Sequence, residues 1–192
     1  MQFQAIAAGQ FTAIDTGAHI SMPPERFVAI SPDDNLEPEL ILIDRTAGTN
    51  IGNMTANGGL AAAFDGTVVQ AATLGAGADN VVSCYVGKTL AAPKVFGQAE
   101  VHSSSNQGYW STNVSTTLNI RGKAGAAPAN AADGTVVGTT TFTDGGAAIK
   151  TIDSTDLVTA WDHLWVELID NAAGGTNDAR VAELVLYEWG VP

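Results

Sequence analysis

The chain has 192 residues, a formal net charge of −12 and only eight lysines and arginines. A nucleic-acid-binding protein needs a cationic surface that displaces counterions from phosphates, and anionic membrane surfaces also attract cations, so neither partner is expected. Hydrophobic residues make up 45% of the chain and charged residues 15%, against roughly 25% charged in an average soluble domain, so the composition is that of a folded chain poor in charge.

Cysteine content and the N-terminal segment exclude several other classes. Cys84 is the only cysteine, so no intrachain disulfide is possible and cysteine-rich zinc sites are excluded. The first residues lack a cationic start and an uninterrupted apolar run, so we predict no secretory signal. No run reaches the roughly 18 apolar residues of a membrane span.

Residues 1–47 are predicted to form an N-terminal arm and connector, followed by one domain at residues 48–192. Residues 1–21 have the pattern of a two-stranded hairpin that turns at Ala8-Gly9, whereas residues 22–39 hold four of the seven prolines and a cluster of acids. An isolated hairpin is marginal in water, so we expect it to pair with the main sheet or with another subunit. Phe3 and Phe11 are its predicted partner contacts.

Period-2 alternation dominates the rest of the chain. In HLWVELID, Leu164, Val166 and Leu168 share one strand face and Trp165 lies on the other. Strands are predicted at residues 3–7, 11–15, 27–30, 40–43, 85–87, 95–102, 116–122, 136–142, 149–152, 163–170 and 181–189. Asp-Gly and Gly-Gly turns separate them, and only residues 154–161 could form a short helical turn. The pattern predicts an all-β antiparallel sandwich or jelly roll.

The order of four segments resembles the discoidin family of coagulation-factor C-type modules. These segments are Phe64-Asp65-Gly66, Tyr85 to Lys88, Val95 to Ser103 and Glu183 to Tyr187. The resemblance implies a galactose-binding-like jelly-roll β-sandwich, here with an N-terminal arm or hairpin added to it.

The same resemblance implies a calcium ion at the Phe-Asp-Gly turn. Carried over to this sequence, its ligands would be the carboxylates of Asp65 and Glu183 and the carbonyl of Thr67, and oxygen ligands of this kind suit Ca²⁺. The turn itself follows from Asp-Gly chemistry, because Gly66 accepts a positive φ and Asp65 hydrogen-bonds the backbone that follows it. The alternative is that this turn holds no metal.

Sugar-binding relatives of this kind present an arginine, a histidine and aromatic residues on loops at one end. The candidates in this sequence are His102, Tyr109, Trp110 and Arg121. Aromatic faces stack on sugar CH groups, and arginine donates hydrogen bonds to hydroxyls. The alternative is that Tyr109 and Trp110 pack a loop or belong to a subunit contact.

Catalytic motifs are missing from the sequence. It contains no HExxH zinc motif, no GxSxG nucleophile elbow and no phosphate-binding loop. Glycoside hydrolysis needs two carboxylates across a cleft, and neither Asp162 with Glu167 nor Glu183 with Glu188 is placed persuasively for that. We therefore predict a protein that is not an enzyme and has no catalytic residues.

Three tryptophans are predicted to contact a partner. Trp165 lies on the outward face of its strand, Trp161 precedes that strand, and Trp189 is near the end of the chain. An outward tryptophan predicts a covered surface, and the cover could be the arm, another sheet or a partner protein.

The predicted function is that of a structural virion protein, a head decoration or cement protein or a spike or tail component. Discoidin-like chains rich in Ala, Gly and Thr resemble virion proteins of tailed bacteriophages. The arm would hold the chain among capsid subunits, as a homo-oligomer, in a virion assembled in the host cytoplasm. The alternative is a carbohydrate-binding module that attaches a particle or an enzyme to host surface polysaccharide.

Overall fold

The computed structural model describes residues 2–7, 10–14, 39–69, 71, 74–104, 108–110, 114–143, 148–171 and 177–190. The chain divides into two compact units, residues 1–35 and 36–192. In the first unit, β1 (Gln2–Ala7) and β2 (Gln10–Ile14) pair antiparallel, with Gln2 opposite Ile14, so the predicted hairpin is confirmed. The predicted strand at residues 27–30 lies outside the described residues.

The described residues of the second unit form strands and one short 3₁₀ helix. Its elements are β3 (Glu39–Leu42), β4 (Thr49–Gly52), β5 (Ala56–Asn57), the 3₁₀ helix (Leu60–Phe64), β6 (Ala76–Val81), β7 (Ser83–His102), β8 (Ser115–Lys123), β9 (Thr135–Thr143), β10 (Ile149–Asp153), β11 (Ala160–Asp170), β12 (Asn177–Val181) and β13 (Glu183–Gly190). Among the described residues, no helix is long and apolar enough to span a membrane.

A single long strand, β7, belongs to both layers of the β-sandwich. Its first half pairs with β4 and β11, and the sheet continues through β8 to β9; its second half pairs with β13 and β10, and β3 lies at the edge beside β13. Strands that pass from one layer to the other bend at the corner of a sandwich. The sequence predicted two separate strands here because the exposed segment at residues 91–93, which ends in Pro93, interrupts the apolar alternation.

The core lies between the two layers and follows the predicted alternation. Leu164, Val166 and Leu168 of β11 are buried beside Leu118 and Ile120 of β8. Each large apolar side chain that is fully buried contributes about 1.5–3 kcal/mol. The all-β antiparallel sandwich predicted from period 2 is confirmed.

Several elements have no clear signal in the sequence. The segment AGADNV forms β6 although Ala, Gly, Asp and Asn are poor strand formers, and its pairing with β12 and β5 supplies the missing stabilisation.

The helical turn predicted at residues 154–161 is wrong. In its place, the Asp156 carboxylate accepts hydrogen bonds from the amides of Val158 and Thr159, which makes a side-chain-closed turn.

The predicted domain boundary between residues 47 and 48 lies inside the second unit, which begins at Leu36. Leu42 of β3 pairs with Tyr187 of β13, and the amide of Ile43 donates to the carbonyl of Leu186 at 2.9 Å. The connection at residues 43–48 is therefore hydrogen-bonded to the main sheet.

Close packing at Gly87 provides a test of this architecture. A Cβ at Gly87 would lie 2.2 Å from the Trp165 Cβ and 2.3 Å from the Leu164 carbonyl oxygen, and backbone atoms cannot yield cheaply. We expect Gly87→Ala to lower the free energy of unfolding by about 3 kcal/mol or more. Gly125→Ala is the matched control, because at Gly125 (φ +76°) a Cβ meets nothing within 4 Å and only left-handed strain of about 1–2 kcal/mol applies. Equal losses in urea unfolding of the two variants would contradict the packing described here.

Candidate functional site

The Phe64-Asp65-Gly66 segment ends the 3₁₀ helix in a tight turn. Phe64 is buried in the core, and Gly66 has φ +86°, a left-handed conformation that favours glycine. The Asp65 Oδ1 accepts a hydrogen bond from the Thr67 amide at 2.7 Å. These are the features expected of a tight Asp-Gly turn.

Glu183, the first residue of β13, lies directly under this turn with 1% of its side chain exposed. Its Oε1 accepts from the Arg45 Nη1 at 3.2 Å, and its Oε2 accepts from the Gly66 amide at 3.1 Å. Burial raises the pKa of the Glu183 carboxyl, while the Gly66 amide and the Arg45 charge oppose that shift. The carboxylate therefore ties the turn to the sheet through two N–H donors.

A calcium ion held by Asp65, Thr67 and Glu183 would have to share the Glu183 carboxylate with Arg45 and the Gly66 amide. Each Glu183 oxygen keeps one lone pair after it accepts from an N–H group, but the Arg45 guanidinium at 3.2 Å is a cation that would repel Ca²⁺. In the part of the chain that the structure describes, no cluster of three or more His, Cys, Asp or Glu side chains could hold a metal.

The predicted sugar platform at Tyr109 and Trp110 is not a surface. Both side chains are fully buried, so neither ring offers a face on which a sugar could stack. The Tyr109 hydroxyl donates to the Val101 carbonyl at 2.5 Å, and its ring meets the Phe142 ring edge-on at 5.5 Å. The alternative that these residues pack a loop is what the structure shows. His102 is also buried, with its Nε2 3.5 Å from a Glu100 carboxylate oxygen.

Arg121, the fourth predicted sugar-binding residue, lies elsewhere. It is on the outer face of β8, where its Nε donates to the Glu167 Oε2 at 2.6 Å and its Nη1 donates to the Gly134 carbonyl. The buried Glu167 also accepts from the Asn119 side-chain amide at 3.0 Å. The structure thus engages Arg121 in a buried ion pair instead of bringing it to the other three candidates.

Trp165 is covered by its own chain. Its indole N–H donates to the Ala131 carbonyl at 2.8 Å. Ala131 belongs to the connection between β8 and β9 at residues 124–134. Lys123 and Asp133 hold the base of that connection through an ion pair at 2.6 Å. The prediction that Trp165 contacts a partner is therefore wrong, because this connection takes up its surface.

The other predicted partner contacts have different outcomes. Trp161 is buried in the core, where its ring lies so close to Gly122 that a Cβ there would be 2.4 Å from the Trp161 Cδ2, so it is not a surface contact either. Trp189 is half-buried on β13, and its role as a contact stays a prediction. The side chains of Phe3 and Phe11 lie outside the described part of the structure.

A polar cluster that the sequence did not predict lies where β12 pairs with β6. The buried Arg180 guanidinium donates through Nη1 to the carbonyls of Ala78 and Ala179. Its Nη2 lies 3.0 Å from the Asp79 Oδ1 and 3.5 Å from the Asp178 Oδ2. The two carboxylates are 52% and 38% exposed, so this end of the molecule presents acceptors to solvent beside a fixed guanidinium.

Tyr109 and Trp110 support this cluster from behind. The Arg180 amide donates to the Tyr109 carbonyl at 2.7 Å, and Trp110 forms a β-bridge with Ala179. Asp178 and Arg180 are two residues apart on a strand and share a face, which is a signal in the sequence NDARV. Asp79 is distant in the sequence, and only the pairing of β6 with β12 brings it to them.

No protein-family model matches this chain, and no curated protein matches it. Among solved structures, a fucolectin from the serum of the striped bass Morone saxatilis has a TM-score of 0.58 at 11% identity, over 78% of this chain and 50% of that one. The lectin-binding domain of lectinolysin complexed with Lewis b has a TM-score of 0.53 at 14% identity, over 78% and 99% of the two chains. CBM62 from Clostridium thermocellum Xyl5A has a TM-score of 0.51 at 18% identity, over 79% and 99%.

At these identities the likeness shows the fold. The domain has the jelly-roll β-sandwich fold of these structures, and the predicted fold class, a galactose-binding-like jelly-roll β-sandwich, is confirmed.

The ion pair under the connection at residues 124–134 gives a pH prediction. Lys123 beside Asp133, with the Ala129 amide, holds the pKa of the Asp133 carboxyl below 3.8. Because folding lowers the pKa of Asp133, the ionised carboxylate stabilises the folded state fully above the unfolded-state pKa of 3.8. This stabilisation is lost as the pH falls through the lower, folded-state pKa. We expect the urea concentration at the midpoint of unfolding to be lower for Asp133→Asn than for the wild type at pH 7. The difference between the two midpoints should become smaller below pH 3.8. The control is Asp153→Asn on β10; a gap independent of pH would contradict the prediction.

Proposed function

We propose that this chain is a non-catalytic carbohydrate-binding module whose ligand contacts the cluster of Asp79, Asp178 and Arg180. Its fold is similar to that of lectin and CBM structures, but a fold alone does not determine function. The observation that carries the proposal is the partly exposed pair of carboxylates beside the Nη2 of a buried guanidinium that the chain holds in place.

The chemistry of this cluster suits vicinal sugar hydroxyls. A sugar hydroxyl can donate a hydrogen bond to a carboxylate, which only accepts, while the buried Arg180 guanidinium holds the two carboxylates next to each other. The carbonyls of Ala78 and Ala179 hold the Arg180 side chain in place, so little conformational entropy is lost when a ligand binds. A hydrogen bond to a charged group contributes about 1.5–3 kcal/mol, so a few of them support affinities between millimolar and micromolar.

Charge narrows the class of glycan. The cluster combines two carboxylates with one guanidinium, and the whole chain has a net charge of −12. An acidic polysaccharide would be repelled both locally and at long range. The proposed ligand is therefore a neutral or amino sugar on a surface polysaccharide.

Display on a particle is compatible with this function. The role of a virion decoration or tail component, with the N-terminal arm held among capsid subunits, stays a prediction from composition. A displayed module that binds host glycans would combine the two.

Replacing each carboxylate by its amide tests the site with little change of shape. We expect Asp79→Asn and Asp178→Asn each to weaken binding to a neutral oligosaccharide about tenfold or more, because each loses a charged acceptor. The measurement is isothermal titration with the best oligosaccharide from a glycan array. Asp153→Asn is the control, since it removes a carboxylate from the outer face of β10.

Two results would count against the proposal. Wild-type protein that binds no glycan on the array would overturn the function. Binding that all three variants retain equally would remove this cluster as the site.

A further inference from the structure

We infer that the Arg45 guanidinium is the resident cation of the Phe64-Asp65-Gly66 turn, and that the domain holds this turn without calcium. Arg45 reaches the one carboxylate that the turn shares with the last strand, at 3.2 Å from the Glu183 Oε1. The position that the family resemblance assigned to a metal ion is thus served by a side chain of the protein itself.

The buried carboxylate explains why a cation is required. Glu183 is 1% exposed, and removing a carboxylate from water costs several kcal/mol unless opposite charge and hydrogen bonds compensate. The Gly66 amide satisfies one oxygen, and Arg45 supplies the positive charge at the other. Loss of one partner from such a pair costs more than the intact pair contributes, since the remaining charge is left uncompensated.

The fit between Arg45 and the turn is close. A Cβ at residue 66 would lie 2.6 Å from the Arg45 Nη1, so the guanidinium packs directly on the bare glycine backbone. Gly66 therefore serves two purposes, because it permits φ +86° and it leaves room for the cation.

The segment that carries Arg45 is itself held in position. In the connection at residues 43–48, the Lys88 ammonium donates to the Ala47 carbonyl at 2.8 Å. Lys88 is buried and lies over the Phe64 ring, 4.9 Å from its centroid. Two cations therefore join the connection to the turn. Lys88 contacts the Ala47 carbonyl and the Phe64 ring, and Arg45 packs on Gly66.

A thermal-unfolding series on the full chain tests this inference. We expect the Tm of the wild type to be the same in EDTA and in 5 mM CaCl₂, since the Arg45 guanidinium already neutralises the Glu183 carboxylate and would repel Ca²⁺. Arg45→Ala should lower the Tm by about 5 °C or more, because it leaves a buried carboxylate unpaired. Lys94→Ala is the matched control: it removes the Lys94–Glu188 pair at 2.9 Å, whose partner is more exposed, and should cost less than about 3 °C.

Two further arms separate the ion pair from simple loss of packing. In a Glu183→Gln background the effect of Arg45→Ala should fall to that of the control, because no buried charge remains. In the single variant Arg45→Ala, 10 mM methylguanidinium should recover part of the lost Tm, and CaCl₂ should not.

Three results would overturn the inference. Calcium could raise the Tm of the wild type, or Arg45→Ala could lower the Tm no more than Lys94→Ala does. The third result is that Arg45→Ala lowers the Tm in the Glu183→Gln background as much as it does in the wild type. If Arg45→Ala does not fold, Arg45→Lys with the same additives gives the comparison. The readout is stability, and Asp79, Asp178 and Arg180 are untouched, so its failure is distinguishable from failure of glycan binding.

Discussion

The continuous hydrogen bonding of β7 is the constraint on which the rest of this domain depends. One strand of 20 residues pairs with β4 and β11 in its first half and with β13 and β10 in its second. Because a strand inside a sheet must satisfy donors and acceptors on both edges, each of these neighbours is positioned by the same backbone. The two layers are therefore joined covalently as well as by their apolar faces.

Buried charged groups of this domain are held in ion pairs that join neighbouring segments of the chain. Glu183 holds the turn after the 3₁₀ helix, Glu167 joins β11 to β8 through Arg121, and Arg180 joins β12 to β6. A buried ion pair contributes little net stability relative to an apolar pair of the same size, but it tolerates few alternative arrangements. We interpret these pairs as the devices that fix the loops and short strands on the sandwich.

Two of these ion pairs bear on function in different ways. In the Arg45–Glu183 pair the carboxylate is buried, and each of its oxygens accepts a hydrogen bond from an N–H group of the protein. The Arg180 cluster leaves two carboxylates partly exposed, so its acceptors can serve a ligand. This difference in exposure, more than the residue types, distinguishes a structural ion pair from a candidate binding site in this domain.

The sequence by itself determined the elements in which period-2 alternation and local turn chemistry agree. Leu164, Val166 and Leu168 face the core as predicted, and Gly66 and Gly134 take the positive φ expected after aspartate. Alternation is local, because successive side chains on any strand point to opposite faces. The all-β antiparallel sandwich followed from these signals.

Only the tertiary structure decided which residues form a site. Tyr109 and Trp110 stand in a polar segment that predicted exposure, yet both are fully buried behind β12. The cover on Trp165 comes from residues 124–134, and Asp79 meets Arg180 through the pairing of β6 with β12. Burial and charge pairing are set by contacts between segments distant in the chain, and no local pattern in the sequence encodes them.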